Sequence, residues 1–189
     1  MLLSGFRLID APVMGLQTGS ELARTAGPVI DPATLEIVAY ELTGPLLNTQ
    51  PSLLRIADVR EFSDIGLIVD SSDEFVSPDD IIKLQSIYER RFKLVGMHVI
   101  NERRQKVGKI DGYTIDTAGF LIQQLNVKRP FFRSLNDTEL LIHRSQITEI
   151  NDKAIVIHSE AKIADPIMNT VNSYANPFRQ KPQTEQQFK

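Results

Sequence analysis

The chain has 189 residues and a mass of 21.3 kDa, with 42% apolar and 24% charged side chains and a net charge of −3. That composition is ordinary for a soluble globular protein of one domain or two small ones. It contains no cysteine, no tryptophan and three histidines, which excludes disulfides, thiolate metal centres, iron–sulfur clusters and cysteine nucleophiles.

No apolar run approaches the roughly 18 residues that cross a bilayer. The opening Met1-Leu2-Leu3-Ser4-Gly5-Phe6-Arg7 lacks the charged and apolar regions of a secretory leader, so a cytoplasmic protein without a transmembrane segment is expected. Contact with a membrane is expected only through a partner.

The first strong pattern runs from Gly27 to Pro45. Gly27, Ile30, Asp31, Ile37 and Pro45 return in register 85 residues later as Gly112, Ile115, Asp116, Ile122 and Pro130. Asp31-Pro32-Ala33-Thr34 reads as a type I turn, because proline at the second position fixes the φ that this turn needs. Farther on, Val59-Arg60-Glu61 and Asp64 to Ser71 return as Ile147-Thr148-Glu149 and Asp152 to Ser159 at an offset of 88. Two copies of about 70 to 80 residues suit tandem small domains rather than a solenoid, which needs at least three stacked units.

Between the copies the period changes. Ser77-Pro78-Asp79-Asp80 offers a capping serine, a proline at the first helical position and acids in the first turn. Ile81, Leu84, Tyr88 and Phe92 follow at helical spacing, so a linker helix of about three to four turns is predicted over residues 77–91. Its apolar stripe is expected to pack on one or both copies.

In the second copy Val95, Met97 and Val99 alternate with polar or small neighbours, the pattern of a half-buried strand. Asn101 to Lys106 is a polar turn, Val107 to Ile115 resumes the extended pattern, and Asp116-Thr117-Ala118-Gly119 is a second type I turn. Leu121, Leu125 and Val127 mark a further strand, and Ile147 to Ile150 with Ala154 to His158 form a hairpin. Short strands with turns about every ten residues indicate a barrel or a sandwich. From Ala161 the chain turns polar. Asp165-Pro166 reads as the start of a short helix, and residues 175–189 read as disordered.

The charge is unevenly spread. Residues 1–90 carry 6 basic and 14 acidic side chains, whereas residues 91–160 carry 11 basic and 8 acidic ones. The basic side chains form two groups. Arg103, Arg104, Lys106 and Lys109 lie on or beside one turn, and Lys128, Arg129 and Arg133 surround a loop that also holds Phe131 and Phe132. Such groups suit an acidic protein, or nucleic acid, whose phosphates attract cations while aromatic rings stack on bases. The two phenylalanines read as core residues, because their repeat partners Leu46 and Leu47 are apolar too.

The repeat unit resembles the PRC-barrel domain, the small β-barrel of the photosynthetic reaction-centre H subunit and of the C-terminal half of bacterial ribosome-maturation factors. The likeness is carried by Leu94-Val95-Gly96-Met97-His98-Val99, Val107-Gly108-Lys109-Ile110, Tyr113-Thr114-Ile115-Asp116, and the closing section from Glu139 to Ile157. In the first copy Leu8 to Val13 and Ile30 to Asp70 fit similarly, with a longer turn around Leu16 to Glu21. The tandem form looks like small bacterial PRC-barrel proteins. The resemblance implies that the strands of each copy close into a small barrel; with the pattern read above, the expected chain is all-β, with residues 1–76 (acidic), a linker helix at 77–91, residues 92–160 (basic), and a short helix with a flexible tail at 161–189. The resemblance also implies binding to other macromolecules without catalysis.

Signatures of catalysis are absent from the sequence: there is no Walker lysine, no G-x-G-x-x-G and no G-x-S-x-G. His98, His143 and His158 lack the helical or hairpin spacing of a metal site. The carboxylate pairs Asp73/Glu74 and Asp79/Asp80 read as an exposed linker and a helix start. No catalytic, cofactor or metal site is therefore expected. The leading expectation is a cytoplasmic adaptor for a protein partner. The alternative is a ribosome-maturation-like factor that holds RNA or a ribosomal protein through the basic copy. A third is a homo-oligomeric scaffold that pairs acidic with basic halves.

Overall fold

The computed structural model describes residues 1–63, 65–129, 139–151 and 153–158. The expectations for Phe131, Phe132, Arg133 and the tail from Ala161 lie outside them. The chain is mostly β. A short β1 (Leu2–Ser4) precedes β2 (Pro12–Gly15), β3 (Glu21–Asp31), β4 (Glu36–Thr43), β5 (Ser52–Arg55), β6 (Glu61–Ser63), β7 (Gly66–Val69) and β8 (Phe75–Val76). The helix α1 (Ile82–Glu89) leads to β9 (His98–Asn101), β10 (Lys106–Asp116), β11 (Leu121–Lys128), β12 (Glu139–His143), β13 (Ile147–Ile150) and β14 (Ala154–Ile157).

Six strands of each half repeat one another, while β1 and β8 have no counterpart among the described residues. The first pairs in the order β6-β7-β2-β3-β4-β5 and the second in the order β13-β14-β9-β10-β11-β12, each with one parallel contact, β2 to β7 and β9 to β14. Even the irregularities coincide. The β3–β4 ladder shifts between Val29 and Ile30, and the β10–β11 ladder shifts 85 residues later, between Thr114 and Ile115. A one-residue slip would move every apolar side chain to the wrong face, so matching registers follow from matching apolar alternation.

Among the described residues the halves do not close into two separate cylinders. Their strands form one continuous sheet joined where β4 meets β11, with Glu36 opposite Leu121. Two bonds related by the repeat seal the junction: the Ile37 amide donates to the Phe120 carbonyl, and the Ile122 amide to the Leu35 carbonyl, both at 2.9 Å. Leu35 and Phe120 have φ of 55° and 49°, a left-handed conformation that costs a residue with a side chain about 1–2 kcal/mol. Both side chains are buried, which offsets that strain. The turns after Asp31 and Asp116 thus run one residue beyond the predicted four, because their last residue is aimed at the other half. One apolar core, including Val13, Ile37, Tyr40, Ile122, Leu125 and Ile155, spans both halves.

Three further boundaries differ from the sequence expectation. Leu8 to Val13 does not open as a strand: Gly5–Leu8 is a 3₁₀ turn, and β2 begins at Pro12. Val95 to Met97 likewise turns before β9, with Val95 exposed and Gly96 at φ 91°. The predicted 77–91 helix is a 3₁₀ turn at Pro78–Asp80 followed by the eight residues of α1, with the Ser77 amide donating to Asp80 Oδ2 at 2.7 Å. Of the predicted stripe, Leu84 and Tyr88 are buried together with Ile87, packing on Val29, Ala39 and Leu53 of the first half.

Candidate functional site

The β9–β10–β11–β12 ladders place His98, Lys109, Lys128 and Glu139 in a single row, each directly opposite the next. All four are exposed, whereas the neighbouring row of Ile110, Val127 and Leu140 is buried. Like charges directly opposite each other in a sheet destabilise it by roughly 0.2–1 kcal/mol, so the Lys109–Lys128 pair carries a stability cost.

Arg103, Arg104 and Lys106 are exposed at the β9–β10 turn. That turn is held by side-chain and main-chain bonds. The Gln105 amide donates to Asn101 Oδ1 at 2.9 Å, Asn101 Nδ2 donates to Gln105 Oε1 at 2.8 Å, and the Arg104 amide donates to the Asn101 carbonyl at 2.9 Å. A ladder shift between Lys106 and Gly108 resets the alternation, so that Lys106 and Lys109 are both exposed. Gly108 is required there: a Cβ would stand 2.4 Å from the Lys128 carbonyl oxygen.

Arg129 is half-buried just past β11, and Arg133 lies outside the described residues. The structure thus brings Lys109 and Lys128 together, adds His98 to them, and sets Arg103, Arg104 and Lys106 at the turn. None of the described cations of this group forms an ion pair among the described residues.

The equivalent corner of the first half is closed. Arg24, at the register position of Lys109, donates from Nε to Glu21 Oε1 at 2.9 Å and stands 3.1 Å from Asp10 Oδ2. Hydrogen bonds to those two carboxylates raise its pKa further.

A second feature escaped the sequence reading. An open cleft of about 520 Å³ lies between the halves, walled by Phe6, Pro28, Val29, Ile87, Phe92 and Tyr113. At its polar corner Arg91 Nη1 donates to the Tyr88 hydroxyl at 3.0 Å and stands 3.7 Å from Glu41 Oε1, with the guanidinium 4.3 Å over the Tyr88 ring. Burial, and after it Glu41, pushes the Tyr88 hydroxyl pKa up. The one sequence signal was the recurrence of Gly27 as Gly112. A Cβ at Gly112 would meet the Phe6 ring at 3.0 Å, whereas at Gly27 it would meet nothing nearer than Glu41 Oε2 at 4.0 Å.

The three histidines stand apart in roles of their own. His143 Nδ1 is 2.8 Å from Ser145 Oγ, His158 Nδ1 is 2.5 Å from Glu102 Oε1, and His98 stands opposite Lys109 in the exposed row. Among the described residues no helix is long and apolar enough to cross a membrane. No protein-family model and no curated protein matches this sequence.

Proposed function

We propose that the chain is a non-enzymatic cytoplasmic adaptor built from two PRC-barrel-like units, and that it holds a protein partner with an acidic surface on the outer face of the second unit. The observation that carries this reading is the exposed His98–Lys109–Lys128 row, continued by Arg103, Arg104 and Lys106 at the adjoining turn. Complementary potentials steer association and fix orientation, and a sheet face with fixed cross-strand spacing supplies the rigid frame. The repeated strand order supports the tandem reading, and the resemblance to PRC barrels supports binding in place of catalysis.

The test is capture of partners by the tagged full chain from its native cytoplasm, with and without nuclease. A partner that survives nuclease and is released by salt is the expected result. Loss of all partners on nuclease treatment would overturn the protein-partner reading in favour of RNA. In that case affinity should fall with salt by a logarithmic slope near 0.7 for each single-strand phosphate neutralised.

A further inference from the structure

We infer that the edge of β3 at Val29–Asp31, together with the interlobe cleft beside it, is a docking site for an extended segment of a partner protein. The segment adds a strand to that edge and lays an aromatic side chain over Gly27. The inference takes its occupant from the protein-binding reading but uses a different face.

The molecule holds its own template for this mode. On β10 the edge at Thr114–Asp116 is occupied: β1 pairs with it antiparallel, Leu2 opposite Asp116, Leu3 opposite Ile115 and Ser4 opposite Thr114. Leu3 is buried, and Phe6 then covers Gly112. The repeat maps Thr114, Ile115 and Asp116 onto Val29, Ile30 and Asp31, with the same ladder partners on β4 as on β11. There the same edge has no strand partner among the described residues; Val29 and Ile30 are themselves buried, Val29 partly by α1, and the cleft that lines Gly27, Pro28, Val29 and Ile30 is the way in to their edge.

The reason is what precedes each copy. Ahead of β2 the chain gives the extended β1 and the Gly5–Leu8 turn, which pack on β10. Ahead of β9 it gives α1, which packs on the sheet face at Val29, Ala39 and Leu53. Pro28 has no amide hydrogen to donate, which suits an edge and confines any added ladder to the residues after it. Strand addition draws affinity from main-chain bonds and specificity from the pockets that receive alternate side chains. The wall of the cleft is apolar, and its rim carries Arg91 and Lys93 against the single carboxylate of Glu41. The fitting segment is therefore an extended apolar stretch, an aromatic residue two positions beyond it, and flanking acids.

The probe is a terminally blocked fluorescent peptide, Glu-Leu-Leu-Ser-Gly-Phe-Glu, titrated against the full chain by anisotropy. Amide hydrogen exchange then reports where it sits. Expected are saturation below about 1 mM and new protection at Val29–Asp31 with none at His98–Lys109. A Cβ at position 27 would stand at ordinary contact distance, 4.0 Å, from Glu41 Oε2 and clash with nothing, so Gly27→Leu should fold normally while weakening the peptide about tenfold. Lys93→Glu, at an exposed site, should weaken it several-fold. Lys109→Glu should leave it unchanged, which separates this site from the cationic row. No binding up to 1 mM, protection elsewhere, or an edge already protected by the chain's own residues 159–189 or by a second copy would overturn the inference.

Discussion

The corner around Arg24 and the corner around Lys109 occupy the same place in two copies of one unit, and they have opposite electrostatic designs. In the first, Glu21 and Asp10 surround the cation, and Thr43 stands near it on the next strand. In the second, the same positions hold Lys106, Gly96 and Lys128. Two carboxylates are lost and two lysines gained without any change of strand register. A surface charge that satisfies itself contributes little beyond solubility, because exposed pairs are worth only about 0–1 kcal/mol. Lys109, set between His98 and Lys128 with Glu139 only beyond Lys128, has a field that reaches outward and is answered by counter-ions or a partner. The comparison therefore separates what the fold requires, which both copies share, from what a surface has been free to change.

The largest effect is expected at the junction the copies share. Ile37 and Ile122 are related by the repeat, fully buried, and each donates its amide to the other half. Ile37→Ala and Ile122→Ala are each expected to cost roughly 2–5 kcal/mol, the range for emptying a packed core site. Because one core spans both halves, each substitution should lower a single unfolding transition in denaturant. Two transitions, with only one of them displaced, would show that the halves fold independently.

The next effect concerns Gly66 and its repeat partner Ala154. Gly66 has φ 125°, and a Cβ there would stand 2.1 Å from the Pro12 carbonyl oxygen. Gly66→Ala is expected to cost roughly 1–3 kcal/mol or more, from overpacking and backbone strain. Ala154→Gly should cost no more than about 1 kcal/mol. Thermal melts of the two variants decide the matter, and equal losses would contradict the asymmetry.

Tyr40 offers a smaller contrast. Its repeat partner is Leu125, and its buried hydroxyl has no hydrogen-bond partner among the described residues. Burial drives its pKa strongly upward, and the nearby Tyr113 hydroxyl is raised to about 12 by the same cause. A buried donor without a partner costs about 1–3 kcal/mol, so Tyr40→Phe should stabilise the chain by about 1 kcal/mol in chemical denaturation.

The smallest effect is electrostatic. The hydrogen-bonded Arg60 guanidinium holds the Asp70 carboxyl below its ordinary value of 3.8, whereas the second half has Thr148 and His158 at these positions. A carboxyl with a depressed native pKa stabilises the fold above its ordinary value, and that contribution is lost as pH falls through the native value. Stability measured below about pH 4 should therefore decline less steeply in Arg60→Ala than in the parent chain.

Much of this architecture was legible because duplication writes each constraint twice. Asp31 with Asp116 marked the turns, and Lys109 and Lys128 stood out by charge in two separate groups that the β10–β11 ladder brings face to face. What escaped the sequence were features created by contact between the copies. The left-handed Leu35 and Phe120 look like ordinary apolar residues until each carbonyl is seen to receive an amide from the other half. The joining of β4 to β11 has no local signal, so separate cylinders were expected where one sheet runs through. Helical periodicity predicts that the stripe of α1 packs on a copy, but not which residues of the sheet it covers or the cleft left beside it. The closed state of Arg24 depends on Asp10, fourteen positions away in sequence and brought near by the β2–β3 pairing.

The most direct test reverses charge at matched positions in the two copies. Lys109→Glu with Lys128→Glu, and separately Arg24→Glu, would be compared for capture of the nuclease-resistant partner by the full chain, with unfolding curves confirming that both variants fold. The second-half double variant is expected to lose the partner and the first-half variant to retain it. Equal retention by both, or loss only with Arg24→Glu, would contradict the claim that the open cationic row is the binding surface.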